Sequence, residues 1–305
     1  FVNFFSEHRF DIAILCGDRY ELLPIATAAL VSQTPIAHLW GGDLTEGAID
    51  NQVRHALTKL AHLHFPCTAS SAARIRQMGE EPWRIHPVGD SALDHFVRGR
   101  HATADELADF LGFKPDACTL LVTFHPCTLE LDQIPRQARE LAGALRACAG
   151  PVVITAPAPD PGGAIIRGEL QKLVRARPQT VFVESLGSYR YRGLLSVVGA
   201  VVGNSSSGLI EAASVPVPVV NIGNRQRGRE RAANVLDVPP RRADILEAIA
   251  QACSPRFRRS LAGIKNPYGD GRAAARIVGV LAKLPERAKL LNKRFKSAYA
   301  HQAAR

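Results

Sequence analysis

Three aspartates within the first fifty residues have the side-chain chemistry and the positions to transfer protons. Asp18, Asp43 and Asp50 each follow a short, mostly apolar segment that is typical of a β-strand. Ligands of α/β domains bind at the carboxyl ends of strands, and carboxylates gathered there can act as general acids and bases. This pattern predicts an enzyme.

Each acid also has a structural interpretation. Asp18 could form an ion pair with the adjacent Arg19, and Asp50 could cap the helix that follows it. Arg54 and His55, on that helix, are expected to orient their neighbours or to line the cleft. All three acids fall near one predicted sheet edge, which favours a shared role over three unrelated ones.

A run of hydroxyl side chains forms a second candidate site. In the segment GNSSSGLIE (203–211) a predicted strand runs into three serines, and a helix is expected to begin at or near Gly208. Hydroxyls, exposed backbone N–H groups and the positive end of a helix suit a phosphate, although serine is also a common helix cap. The candidate phosphate-binding residues are Ser205, Ser206 and Ser207.

Four more candidate site residues come after later predicted strands of the chain. Glu211, about one turn into the helix, could bind ribose hydroxyls or simply complement the helix dipole. Arg225 and Arg229, in a glycine-containing loop, suit a diphosphate but could also be solvated surface residues. His125 comes directly after a strand and before a proline, where it could be catalytic or a structural hydrogen-bonding residue.

Apolar runs alternate with helical patterns along the chain, which predicts an α/β fold with parallel sheets. The predicted strands are 11–16, 35–40, 64–68 and 84–88, followed by 119–124, 152–155, 181–183, 200–202 and 217–222. Helices are predicted at 52–61, 131–148 and 208–213. We expect a partial Rossmann-like domain over 1–110, incomplete at its N-terminus, and a nucleotide-binding Rossmann-like domain over 111–305, with the last helices packing back on the first.

Composition restricts the class of protein. The net charge is +10, and residues 225–305 carry 19 Lys/Arg against 6 Asp/Glu, which suits a phosphate-bearing ligand. A nucleic-acid partner lacks support because no binding motif or aromatic interleaving accompanies the charge. Six isolated cysteines and the absence of a long apolar run favour a soluble protein of the reducing cytoplasm, with no metal site and no membrane association.

At these motifs the chain resembles the hydrolysing UDP-N-acetylglucosamine 2-epimerases of sialic acid biosynthesis. The matching segments are GDRYE (17–21), HLWGGDLTEGAIDNQVRHALTKLAHLHF (38–65), VTFHP (122–126), GNSSSGLIEA (203–212), NIGNRQRGR (221–229) and NPYGDG (266–271). The resemblance implies a GT-B-like fold of two Rossmann-like domains with a UDP-sugar between them. It also implies a homodimer or homotetramer that needs no cofactor.

The resemblance further implies a two-stage reaction. UDP leaves by elimination across C1–C2 of the sugar, and water then adds to give free N-acetylmannosamine. Asp18, Asp43 and Asp50 would be the acid/base set. The groups that hold UDP would be His125, Ser205, Ser206, Glu211 and Arg229, with Arg19 near the diphosphate.

Three departures from the family pattern bear on activity. Asp43 stands where many members have glutamate, and Ala158-Pro159 replaces a more usual Asn-Ala. The family's first strand, with a glycine-rich turn that carries an arginine, is not present in the sequence. Because that strand would lie beside 11–16, its loss is expected to leave an exposed edge and an unstable or inactive chain.

Several alternatives remain open at this point. The same chemistry could act on UDP-2,4-diacetamido-2,4,6-trideoxy-glucose, and a non-hydrolysing epimerase would return UDP-N-acetylmannosamine. The GDRYE and TEGAID segments favour the hydrolysing branch. The chain could instead be an inactive UDP-sugar-binding remnant.

Overall fold

A computed structural model describes residues 1–297 of the chain. The chain forms two compact units. Unit 1 comprises 1–45, 49–97 and the chain from Tyr268 onward, and unit 2 comprises 46–48 and 98–267. Residues 98–110, assigned above to the first domain, lie in unit 2. Residues 298–305, the end of the predicted second domain, lie outside the described residues.

Unit 1 contains a parallel sheet of three strands in the order β1-β2-β3. These are β1 (Ala13–Cys16), β2 (Ile36–Leu39) and β3 (Leu63–Phe65). The fourth predicted strand, 84–88, was wrong. The segment makes one bridge, Ile85 with His64, and a 3₁₀ turn at Pro82–Arg84 occupies its beginning.

Helices pack on both faces of this sheet because its central strand is apolar on both sides. Ile36 packs in one cluster with Leu57, whereas Ala37 and Leu39 pack in another with Ile277. This alternation follows the two-residue repeat of a strand. The helices of unit 1 are α1 (Val2–Glu7), α2 (Leu22–Val31), α3 (Asp50–Leu60), α4 (Ala69–Gln77), α5 (Asp94–Arg98), α13 (Ala273–Leu281) and α14 (Arg287–Leu291).

Unit 2 contains a parallel sheet of six strands in the order β6-β5-β4-β7-β8-β9. The strands are β4 (Leu120–Thr123), β5 (Val152–Thr155), β6 (Thr180–Val183), β7 (Ala200–Gly203), β8 (Val219–Ile222) and β9 (Val235–Val238). Strand β9 was not predicted, because its sequence VLDV is short and interrupted by an acid. The order is that of a doubly wound Rossmann sheet, with its topological switch point between β4 and β7.

The helices of unit 2 precede, connect and follow these strands. They are α6 (Ala104–Leu111), α7 (Ile134–Ala147), α8 (Gly163–Ala176), α9 (Gly187–Leu195), α10 (Ser206–Ile210), α11 (Arg242–Cys253) and α12 (Pro255–Ser260). The predicted helix 131–148 begins as a 3₁₀ turn at Leu131–Gln133 and becomes α-helical at Ile134. Among residues 1–297, no helix combines the length and the apolar character needed to cross a membrane.

Candidate active site

Two of the candidate acids follow neighbouring strands of unit 1. Asp18 comes two residues after the end of β1, and Asp43 comes four residues after the end of β2. Because β1 and β2 are parallel and paired in register, their carboxyl ends lie at the same sheet edge. Gly17 has a φ of 95°, a left-handed conformation that glycine adopts without steric cost, and it turns the chain into Asp18.

Arg54 connects the acid-bearing segments. Its side chain is 1% exposed, and Nη2 donates a hydrogen bond to the Asp18 carboxylate. Nη1 donates to the Asp43 carbonyl oxygen and to Thr45 Oγ1, each at 3.1 Å. One buried guanidinium therefore fixes the chain after β1 against the chain after β2, as its planar set of donors permits.

His38 supports the same turn through a hydrogen bond to its backbone. Its Nε2 lies 2.8 Å from the Gly17 carbonyl oxygen, and a carbonyl can only accept, so this nitrogen carries the proton. Burial lowers the pKa of His38 to about 4. The ring is therefore neutral at pH 7, and it holds the Gly17 turn as a hydrogen-bond donor.

Asp50 and Arg54 lie four residues apart on α3. Asp50 is the first residue of this helix and Ile49 occupies the cap position, so the interpretation of Asp50 as the cap was wrong. In the first turn its carboxylate complements the positive end of the helix dipole. We call Asp18, Asp43 and Arg54 the acid cluster. The place of Asp50 in the proton-transfer set stays a prediction.

Arg19 forms an ion pair with Glu21. Its Nη2 is 3.1 Å from Glu21 Oε1, and both side chains are well exposed. The guanidinium also lies over the Tyr20 ring, at 5.2 Å from its centroid. The role of Arg19 as a diphosphate contact stays a prediction.

The second group of candidates lies at the switch point of unit 2. His125 follows β4, and Asn204 follows the adjacent strand β7. The His125 backbone N–H donates to Asn204 Oδ1 at 2.7 Å, and Asn204 Nδ2 donates back to the His125 carbonyl at 2.9 Å. This reciprocal pair joins the two loops at the position where doubly wound sheets bind ligands.

The imidazole of His125 is oriented by a backbone amide. The Ala158 N–H donates to His125 Nδ1 at 2.9 Å, which leaves the proton of the neutral ring on Nε2. Burial, assisted by the positive charge of Arg225, lowers the pKa of His125 to about 3. At pH 7 this residue is a neutral donor through Nε2. Ala158, in place of the more usual asparagine, keeps this hydrogen bond to His125, because the donor is the backbone N–H.

The turn that carries the three serines, residues 203–207, is called the serine turn. It begins with a glycine that no other residue could replace without strain. Gly203 has a φ of 137°, and a Cβ there would collide with the Thr123 carbonyl oxygen. Helix α10 begins at Ser206, two residues before the predicted start at Gly208, and has only five residues. Ser205 is its cap residue, but the side chain of Ser205 makes no capping hydrogen bond. Plain N-capping therefore does not account for this hydroxyl.

These loops surround a cavity of about 350 Å³ in unit 2, which we call the serine cavity. Four predicted residues line it together: His125, Ser205, Ser207 and Glu211. Its other lining residues are Thr123, Thr155, Ala156, Glu184, Ser185, Leu186, Gly187, Ser188 and Tyr191. The lining offers several hydroxyl groups, one neutral imidazole and the carboxyl groups of Glu184 and Glu211. The hydroxyl and imidazole donors suit a polar ligand with acceptor oxygens.

The arginines of the following loop stabilise the switch-point backbone. Arg225 Nη1 donates to the Asn204 carbonyl at 3.1 Å, and Gln226 Nε2 donates to the same oxygen at 2.8 Å. Arg229 is buried, and its Nη1 donates to Gln226 Oε1 at 3.1 Å. Both guanidinium groups thus contribute positive charge close to the loop after β7.

Comparison with known proteins identifies the family. The sequence matches the UDP-N-acetylglucosamine 2-epimerase family over residues 1–282. The chain belongs to this family. The resemblance inferred from the motifs is thereby confirmed.

Individual relatives of this epimerase-family chain differ in their sugars. It is 35% identical over 294 residues to the hydrolysing UDP-N,N′-diacetylbacillosamine 2-epimerase of Legionella pneumophila, with 96% of this chain and 76% of the relative covered. It is 30% identical to the UDP-N-acetylglucosamine 2-epimerase of Neisseria meningitidis, with 80% and 64% covered. In each case the alignment covers most of this chain but only part of the relative.

Solved structures confirm the predicted fold class. A crystal structure of UDP-GlcNAc 2-epimerase from Neisseria meningitidis, bound to UDP-GlcNAc, superimposes with a TM-score of 0.75 at 19% identity. The match covers 93% of this chain and 79% of that one. The epimerase-family chain therefore has the GT-B-like α/β fold, with a parallel sheet of three strands in unit 1 and a doubly wound Rossmann sheet in unit 2.

Three residues of these sites are more important in the structure than their sequence positions indicate. Arg54 was assigned only an orienting or lining role, although it binds both acid-bearing segments. Asn204 and Tyr191 were not singled out at all. Asn204 lies inside the GNSSSG motif and could have been noticed there, whereas Tyr191 is remote in sequence from the serines it contacts.

Proposed function

We propose that this chain is a hydrolysing 2-epimerase of a UDP-2-acetamido sugar, with UDP-N,N′-diacetylbacillosamine as the favoured substrate. The observation that carries the proposal is the acid cluster, in which buried Arg54 joins the Asp18 carboxylate to the Asp43 segment at one sheet edge. Membership of the epimerase family supports the reaction class. The Legionella pneumophila relative, at 35% identity, favours the diacetamido sugar.

The proposed reaction has two stages. In the first, a carboxylate of the acid cluster removes the proton on C2, the C–H electron pair forms the C1=C2 bond, and the C1–O bond breaks with its pair on the UDP oxygen. In the second, a proton adds to C2 from the opposite face and water adds to C1. The products are UDP and the free sugar with inverted C2, and both stages need the proton transfer that carboxylates supply.

We assign the binding of UDP to the serine cavity. His125 is neutral and keeps an Nε2–H, so it can donate to a phosphate oxygen without a change of charge. Ser205 and Ser206 add hydroxyl donors, Arg225 and Arg229 add positive charge, and Glu211 can accept from ribose. Fixed donors of this kind stabilise the charge that develops on a leaving diphosphate.

Turnover in D₂O tests this proposal directly. The chain is incubated with UDP-N,N′-diacetylbacillosamine, and proton NMR follows the release of UDP and free sugar. We expect free sugar with inverted C2 and one deuterium at that carbon, together with loss of turnover in Asp18→Asn and Asp43→Asn. Return of an intact UDP-sugar would contradict hydrolysis. Binding of UDP without turnover of either sugar would favour the inactive remnant.

UDP-N-acetylglucosamine is the second candidate substrate. It is favoured by the 30% identity to the Neisseria meningitidis UDP-N-acetylglucosamine 2-epimerase. The two sugars differ at C4 and C6, so the values of kcat/KM measured for both under the same conditions decide between them. A higher value for UDP-N-acetylglucosamine would reverse our preference.

A further inference from the structure

A tyrosine from α9 extends the hydroxyl network of the serine turn. The Tyr191 O–H donates to Ser207 Oγ at 2.6 Å, and Ser207 Oγ lies 3.0 Å from Ser205 Oγ. All three side chains line the serine cavity. Tyr191 is thus the inner end of a chain of three hydroxyl groups, and Ser205 is the end that has no capping bond to make.

The direction of the protons along this chain follows from simple counting. A phenol has one proton, and Tyr191 uses it on Ser207. Burial raises the pKa of the Tyr191 phenol, and the charge of Glu211 adds to the rise, so the group stays protonated at neutral pH. Because Ser207 accepts from Tyr191, its own single proton is available for Ser205. Ser205 then accepts from within the protein and keeps its proton to donate.

We propose that Tyr191 is a positioning residue that makes Ser205 a one-way donor to an anionic ligand. Taken with the proposed function, that ligand is the diphosphate of the UDP-sugar. Without the phenol, Ser207 and Ser205 can exchange donor and acceptor roles, and half of the resulting arrangements present a lone pair to the phosphate. Chains of hydroxyls also polarise one another, so the oriented chain is a stronger donor than an isolated serine.

The test compares two tyrosines of the same helix. Tyr191→Phe removes the phenol oxygen and keeps the ring. Tyr189→Phe is the matched control, because Tyr189 is more exposed and its hydroxyl donates to Glu106 at 2.9 Å. Calorimetry measures the affinity of each full-length protein for UDP, and NMR titration measures the affinity for uridine, which lacks the phosphates.

We expect Tyr191→Phe to weaken UDP binding about tenfold, the size of one hydrogen bond to a charged group. Uridine affinity and the melting temperature should stay at the wild-type values, and Tyr189→Phe should behave as wild type. In a Ser207→Ala background the same change should weaken UDP binding less than twofold, since the chain of hydroxyls is already broken.

Four outcomes would overturn the inference. Unchanged UDP affinity in Tyr191→Phe would show that the phenol does not orient the donor. Equal losses for UDP and uridine, with a lower melting temperature, would assign Tyr191 a packing role. Additive losses in the double variant would show that the hydroxyls are not coupled. If the wild-type protein itself fails to bind UDP, the proposed function fails, and this inference fails with it.

Discussion

In unit 1 the acid cluster is held by charge, whereas in unit 2 the hydrogen-bond donors of the serine cavity are neutral groups. Arg54 binds a carboxylate and the carbonyl of a second acid-bearing segment. Around the serine cavity, by contrast, an amide orients a neutral imidazole and a phenol orients a serine. The difference follows from the proposed tasks, since proton transfer needs an ionisable group held in place, and anion binding needs donors with a fixed direction.

Removal of Arg54 should have the largest effect. Arg54→Met leaves the Asp18 carboxylate without its buried partner and frees the segment after β2. We expect a loss of about 3 kcal/mol in the free energy of unfolding, typical of a broken buried ion pair, and a fall in kcat of at least about a hundredfold. Chemical denaturation and turnover assays measure these changes. Arg76→Met, at an exposed position of α4, is the control.

Wild-type turnover in Arg54→Met would contradict the difference proposed between the acid cluster and the serine cavity. The acid cluster would then not depend on charge for its geometry. A stability loss without a loss of kcat would separate the folding role of Arg54 from the proposed catalytic arrangement.

Acid should destabilise unit 1 through His38. The folded-state pKa of about 4 lies below the ordinary value of 6.5, so the unfolded chain binds the proton first as pH falls. The stability that the neutral ring contributes is complete above pH 6.5 and is lost progressively down to pH 4, by about 3 kcal/mol. Denaturation of the wild type and of His38→Gln across this range measures it.

Replacement of His38 should remove this contribution. The stability of His38→Gln should therefore change less with pH than that of the wild type. Identical slopes for the wild type and His38→Gln would remove His38 from the account of acid sensitivity.

Removal of the neutral donor His125 in unit 2 should lower the affinity for UDP. His125→Ala removes the Nε2–H and should weaken UDP binding by about ten- to a hundredfold, as expected for one hydrogen bond to a charged group. The effect should be the same at pH 6 and pH 8, because the pKa of His125 is about 3 and the ring does not titrate there. A loss of UDP affinity that appears only at low pH would mean that the charged imidazolium binds the ligand. It would contradict the assignment of His125 as a neutral donor.

The smallest effect is expected at Ala158. Ala158→Asn restores the side chain that is more usual in the family, yet the contact with His125 uses the backbone N–H, which the variant keeps. We expect kcat/KM to change less than about threefold. A larger gain in kcat/KM would show that an amide side chain at this position acts on the substrate itself.

The sequence predicted the positions of these groups better than their partners. Asp18 and Asp43 were located at strand ends because apolar runs mark strands and polar residues mark the loops after them. Arg54 lies thirty-six residues from Asp18, and nothing in the local pattern indicates that the two side chains meet. The start of α10 was predicted two residues too late, because Gly208 indicates a helix boundary in the sequence. The helix begins at Ser206.

The amino-acid sequence by itself determined the α/β class, the strand ends that carry chemistry and the family, because periodicity and motifs are local properties of the chain. Only the tertiary structure decided which groups act together. Strand order sets Asn204 beside His125, and a carbonyl fixes the tautomer of His38. Packing directs the phenol of Tyr191 toward Ser207. Hydrogen-bond direction and burial depend on neighbours that are remote along the chain, and folding alone brings them into contact.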